Sequence, residues 1–94
     1  MIGLVLISHG KMAEGIADSL SMLFGADLPQ FEICALHEMN SPQEFHDELC
    51  RKVAKVDSGD GVLIFADMLG GTPCNQALTL VNEKVHLIVG MNLP

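Results

Sequence analysis

The chain has 94 residues, 49% hydrophobic and 18% charged, with four Phe and neither Trp nor Tyr. That composition is globular rather than disordered, and the length suits one small domain. Five basic residues against twelve acidic give a formal charge of −7, which argues against a nucleic-acid binder, because a phosphate backbone demands a basic stripe.

The first apolar run, Met1-Ile2-Gly3-Leu4-Val5-Leu6-Ile7, is nearly continuous rather than alternating, which predicts a strand covered on both faces. It leads into Ser8-His9-Gly10. Over residues 11–24, Met12, Ala13, Ile16, Ala17, Leu20, Leu23 and Phe24 recur at helical spacing, while Glu14, Asp18 and Ser21 share another side. This is the pattern of an amphipathic helix. Gly25 and Asp27-Leu28-Pro29 end it, and Phe31-Glu32-Ile33-Cys34-Ala35-Leu36 reads as the second strand. Ser41-Pro42-Gln43-Glu44 then supplies a hydroxyl N-cap, a first-turn proline and a carboxylate three residues past the cap, so a second helix should run from there to about residue 56. Asp57-Ser58-Gly59-Asp60-Gly61 turns the chain into a third strand over 62–66 that stops at Asp67. Thr72-Pro73 should open a third helix as Ser41-Pro42 opens the second, and Val85-His86-Leu87-Ile88-Val89 is a fourth strand.

Alternation of strand and helix with short connections predicts an α/β fold: one doubly wound domain over residues 1–94, with a mainly parallel sheet and helices on both faces. Strand one is expected at the centre, giving the order 2-1-3-4. The longest apolar runs, about six residues, fall short of the roughly twenty that cross a bilayer, and the chain reads as cytoplasmic. Cys34, Cys50 and Cys74 are odd in number and widely spaced, without C-x-x-C. They indicate neither a disulfide framework nor a zinc knuckle, and Cys34, in an apolar run, and Cys74, in the first turn of a helix, are expected to be ordinary small residues.

In an open α/β sheet, ligands bind beyond the carboxyl ends of the strands, where successive crossovers leave to opposite sides. His9 and Asp67 end the two strands that would meet there. A carboxylate on one imidazole nitrogen fixes the tautomer and leaves the other nitrogen nucleophilic, while stabilising positive charge on the ring. Gly70 and Gly71 permit close approach of backbone to a phosphate, and Thr72 adds a hydroxyl and an N–H at a helix start. Each feature alone has a plainer reading, as a surface histidine, a turn aspartate or an ordinary loop. Their convergence at adjacent strand ends favours phosphoryl transfer. Lys11, two residues past His9, could help to neutralise a phosphate, but a solvated helix-surface lysine is the plainer reading, and His37 could approach the same rim without a phosphate loop of its own. His46 lies on the polar side of the second helix and His86 within the fourth strand. No histidine pair has metal-ligand spacing, so no metal is expected.

Ile7-Ser8-His9-Gly10 with Met12-Ala13-Glu14-Gly15-Ile16, then Phe65-Ala66-Asp67-Met68-Leu69-Gly70-Gly71-Thr72-Pro73-Cys74-Asn75, and last Val89-Gly90-Met91-Asn92-Leu93-Pro94 together closely resemble the enzyme IIA domain of the mannose-family sugar phosphotransferase system. The resemblance covers the whole chain. It implies a phosphotransferase in which His9 is phosphorylated on Nε2, Asp67 orients and polarises it, and Gly70, Gly71 and Thr72 approach the phosphate. No cofactor is implied. The implied partners are the phosphocarrier HPr as donor and enzyme IIB as acceptor, with the membrane IIC and IID components engaged indirectly. Domains of this family continue past the position of Pro94 with a last helix and a strand exchanged in a homodimer, so a shortened domain is expected. Two other readings stand beside this one: a phosphocarrier subunit of a phosphotransferase-dependent dihydroxyacetone kinase, and a non-catalytic regulatory module that keeps an anion pocket.

Overall fold

The four apolar runs pair side by side as one parallel sheet in the computed structural model, which describes residues 2–25, 29–37, 39–67 and 71–90. In chain order the elements are β1 (Gly3–His9), α1 (Met12–Phe24), β2 (Phe31–Leu36), α2 (Pro42–Val56), β3 (Val62–Ala66), α3 (Thr72–Leu78) and β4 (Val85–Val89). The sheet order is β2-β1-β3-β4 and every pairing is parallel, as the alternation of elements predicts.

Continuous apolar strands are explained by what covers them. Val5 and Ile7 of β1 share one face of the sheet with Cys34, Val62, Ile64, Ala66 and Val85, packed under Phe45, Leu49 and Val56 of α2 and Cys74 and Ala77 of α3. Leu6 points to the other face, because successive strand side chains alternate. There it joins Phe31, Ile33 and Phe65 beneath Ala13, Ile16, Ala17 and Leu20 of α1. Both faces of β1 are therefore dry, and the strand has no position for an outward polar residue until its end.

The start of α2 is made as its sequence predicts. The Ser41 hydroxyl accepts from the Glu44 N–H at 3.1 Å, and the Glu44 carboxylate accepts from the Ser41 N–H at 2.9 Å, which satisfies two otherwise orphaned donors. The Ser41 backbone and then its side chain, by hydrogen bonding, hold the Glu44 carboxyl below its ordinary pKa.

β1 ends at His9, as expected, with Ser8 and His9 in register with Ala35 and Leu36 of β2. Two details differ from expectation. Thr72 does not cap α3 as Ser41 caps α2: Gly71 holds the N-cap position with an extended backbone (φ −86°, ψ 170°) and Thr72 is already helical. The chain turns one residue sooner because the residue without a Cβ is the one that fits against His9. His46 is half-buried rather than solvated, since the polar side of α2 packs against the end of α3, where the His46 ring contacts Thr79 Oγ1 at 3.3 Å and Cys50 Sγ at 3.4 Å.

Cys34 and Cys74 are fully buried free thiols, and burial above all pushes the Cys34 thiol up to about 12. It stays protonated and acts as a small core residue. Among the described residues no helix is long and apolar enough to cross a membrane.

Candidate functional site

Alternation at the end of β1 sends neighbouring residues to different tasks. Ser8 falls on the α1 side with Leu6 and is fully buried. Its hydroxyl oxygen accepts from the Ala13 N–H at 2.8 Å, while the hydroxyl proton faces the Gly10 carbonyl at 3.3 Å. Ser8 thus satisfies a donor in the first turn of α1, whose N-cap residue Lys11 makes no such side-chain bond. This role was missed in the sequence because a capping hydroxyl is sought at the N-cap itself, three residues further on.

His9 falls on the opposite side. Immediately after it Gly10 adopts φ +57°, a left-handed conformation natural to glycine, and its N–H donates to the Leu36 carbonyl at 2.7 Å. That turn stops β1 at His9 and swings the chain into α1, leaving the imidazole at the rim of the sheet.

Asp67 reaches the same place from the neighbouring strand, because Ile7 is level with Ala66 and the next residue of β3's path stands beside the end of β1. Asp67 Oδ2 accepts from the His9 backbone N–H at 2.9 Å and lies 3.0 Å from His9 Nδ1. Only 8% of the Asp67 side chain is exposed, against 43% of the His9 side chain. A carboxylate can only accept, so Nδ1 is assigned the proton, and in the neutral ring that tautomer leaves the lone pair on Nε2. A sheltered carboxylate therefore holds an accessible ring by one edge and leaves the other edge free of it.

The third element of the site is Gly71. A Cβ built on it would lie 2.7 Å from His9 Nε2 and closer still to Cε1, so the Gly71 backbone at the start of α3 stands directly against the free edge of the imidazole. Thr72 is half-buried at the first position of α3. Gly70, read with them in the sequence, lies outside the described residues.

On the β2 side of His9 is an open hollow of about 460 Å³ lined by His9, Gly10, Lys11, Leu36, His37 and Asn40. His37 is exposed and does share the rim, as its position after β2 suggests. His86 is exposed on β4, its Nε2 3.2 Å from the Glu83 carbonyl, at a distance along the chain from the loops that carry the site. Among the described residues no group of three His, Cys, Asp or Glu side chains is placed to hold a metal ion.

An open parallel sheet with a carboxylate-bound histidine at the carboxyl end of an inner strand defines the class: α/β folds of the kind that bind ligands beyond the carboxyl ends of their strands. Within that class, the chain belongs to the family described as the PTS system fructose IIA component, whose profile matches residues 3–94. It is 32% identical over 95 residues to the PTS system mannose-specific EIIAB component of Escherichia coli K12, covering 99% of this chain and 29% of that protein. To the PTS system fructose-specific EIIA component of Bacillus subtilis it is 26% identical over 101 residues, covering all of this chain and 65% of that protein. The chain thus spans less than two thirds of the length of either relative.

Solved structures agree. The phosphotransferase system component EIIA of Streptococcus agalactiae superposes with a TM-score of 0.86 at 26% identity, covering 98% of this chain and 71% of that one. The mannose/sorbose-specific IIA subunit of Enterococcus faecalis gives 0.85 at 28% identity, covering 97% and 69%.

Proposed function

We propose that the chain is a phosphoryl carrier of the sugar phosphotransferase system, in which His9 accepts a phosphoryl group from phospho-HPr and passes it to a histidine of enzyme IIB. The observation that carries this reading is the 3.0 Å contact of His9 Nδ1 with the sheltered Asp67 carboxylate, which in the neutral ring favours the tautomer with its lone pair on Nε2.

In the first transfer the Nε2 lone pair attacks phosphorus in line. A bond from Nε2 to phosphorus forms as the bond from phosphorus to the HPr imidazole nitrogen breaks, and that nitrogen leaves with the electron pair. In that neutral tautomer no proton has to leave His9. The ring becomes cationic, and Asp67, bonded to Nδ1–H, stabilises that charge throughout. The second transfer is the same displacement with the IIB histidine as nucleophile. Gly71 leaves the free edge of the ring without a side chain in front of it, and the backbone there, with Thr72, is the group we assign to the phosphoryl oxygens. An exposed ring is needed for this role, since two protein partners must reach it in turn.

The test is direct. Incubated with phosphoenolpyruvate, enzyme I and HPr, the chain should gain a single phosphoryl group that survives base and is lost in acid, measured by intact mass before and after each treatment. Failure to label from phospho-HPr overturns the proposal.

Asp67→Ala should leave the chain folded and phosphorylatable, but slower. Losing a hydrogen bond to a ring that becomes charged removes about 1.5–3 kcal/mol, or about ten- to a hundredfold in the rate of labelling. A wild-type rate in quench-flow measurements would reduce Asp67 to a turn residue.

A further inference from the structure

Among the described residues one polar side chain is fully buried, and it belongs to Ser8, the neighbour of His9. A hydroxyl taken out of water costs stability unless it is hydrogen-bonded, and both capacities of this one are used on the same short segment. Its oxygen accepts from the Ala13 N–H at 2.8 Å and its proton goes to the Gly10 carbonyl at 3.3 Å. β1 ends at His9 and α1 begins at Met12, so that segment is the two-residue turn Gly10-Lys11 and the first turn of the helix behind it.

That turn fixes the backbone of the nucleophile. On its N-terminal side His9 is held by its own N–H, which donates to Asp67 Oδ2 at 2.9 Å. On its C-terminal side the next residue is tied at both polar groups: the Gly10 N–H donates to the Leu36 carbonyl at 2.7 Å, and the Gly10 carbonyl accepts from Ser8. Gly10 stands at φ +57°, and without a Cβ it has many neighbouring conformations open to it. Restraint at its carbonyl therefore matters more than it would for a residue with a side chain. The Ser8 side chain points to the α1 face and away from the imidazole, because strand side chains alternate, so its effect on His9 passes through the main chain.

We propose that Ser8 is a positioning residue for phosphoryl transfer, its hydroxyl locking the turn between β1 and α1 so that the His9 ring stays aligned with Asp67 and Gly71. The inference rests on the reading of His9 as a phosphoryl carrier. In-line displacement at phosphorus needs the attacking lone pair closely aimed. The two neighbours of the ring are set by other elements, since Asp67 follows β3 and Gly71 precedes α3. A shift at the end of β1 moves the ring relative to both. It lengthens the 3.0 Å contact at Nδ1 and turns Nε2 off the approach to phosphorus.

Two measurements on the full chain test it. With phospho-HPr as donor, Ser8→Ala should lower kcat about tenfold and leave KM unchanged, because a side chain buried under α1 meets no partner. Ser8→Cys, close to serine in size but a weak donor and acceptor, should lose part of that. The control is Asn82→Ala in the turn before β4, which removes the oxygen that accepts from the Lys84 and Val85 N–H groups at 2.8 and 2.9 Å. It should lower the melting temperature, as Ser8→Ala does, and leave kcat intact. Independently of any partner, nitrogen NMR of the neutral His9 ring should show Nδ1 protonated and Nε2 bare in the wild type and in Asn82→Ala. In Ser8→Ala the two resonances should draw together as the tautomer ceases to be held. A wild-type kcat in both Ser8 variants, or an equal loss in Asn82→Ala, reduces the serine to a cap of α1 and leaves the carrier reading standing. If phospho-HPr labels nothing in the wild type, the carrier reading falls by itself and the NMR comparison decides alone: converging resonances keep Ser8 as the residue that positions His9, and unmoved ones overturn it.

Discussion

His9→Ala should fold like the wild type and take up no phosphoryl group from phospho-HPr. The fold survives because the ring it removes is 43% exposed, so no closed cavity is left behind. The main-chain tie is also kept: alanine retains the N–H that donates to Asp67 Oδ2 at 2.9 Å, and the ends of β1 and β3 stay joined. Chemistry is lost outright because the nucleophilic atom is gone. His37 is the informative rival, since it shares the hollow with His9, whereas His46 is engaged between Cys50 and Thr79. Thermal unfolding should coincide with the wild type, and intact mass should show no added phosphoryl group. Wild-type labelling of the variant, mapped by peptide analysis to His37 or elsewhere, would overturn the assignment of His9.

The fold was readable because its strands are covered on both faces. Dryness on both sides makes the runs of β1 and β3 nearly continuous, and that signature, with helices between, leaves a parallel sheet as the consistent arrangement. The pairing of His9 with Asp67 followed from the same topology: with β1 central, residues just past adjacent parallel strands must be neighbours. Harder to read was whatever depends on how a side chain turns or on which element packs next. Asp67 Oδ2 serves both the backbone N–H and the ring of His9, a matter of rotamer that spacing does not encode. His46 looked solvated because helical periodicity separates polar from apolar sides but does not say that α3 will lie against the polar one. The hollow is joined by a bond between Gly10 and Leu36, residues remote in sequence whose loops meet only once β1 and β2 are in register. Gly71 was read as a loop glycine, and its contact with the imidazole emerges only from three dimensions.

That contact makes Gly71→Ala the most discriminating substitution after His9 itself. Its backbone is extended, with φ −86° and ψ 170°, a conformation alanine adopts freely, so the variant carries no backbone strain. The whole effect is steric: the added methyl would sit 2.7 Å from His9 Nε2, well inside the ~3.5 Å at which non-bonded carbons rest. One of two things must yield. If the ring swings outward, the 3.0 Å contact of Nδ1 with Asp67 is broken, and Nε2 loses both its fixed tautomer and its aim. If the loop retreats, the backbone assigned to the phosphoryl oxygens moves away from phosphorus. Either displacement, of about an ångström, should slow transfer about a hundredfold or more. Stability should change far less than activity when the exposed ring is the part that moves. A double-mutant cycle separates this from general damage to α3: the stability cost of Gly71→Ala should vanish in a His9→Ala background, where the methyl has no ring to meet. A cost that persists without the ring would mean that Gly71 serves the helix start, and near wild-type transfer in the single variant would mean that the loop does not govern His9 at all.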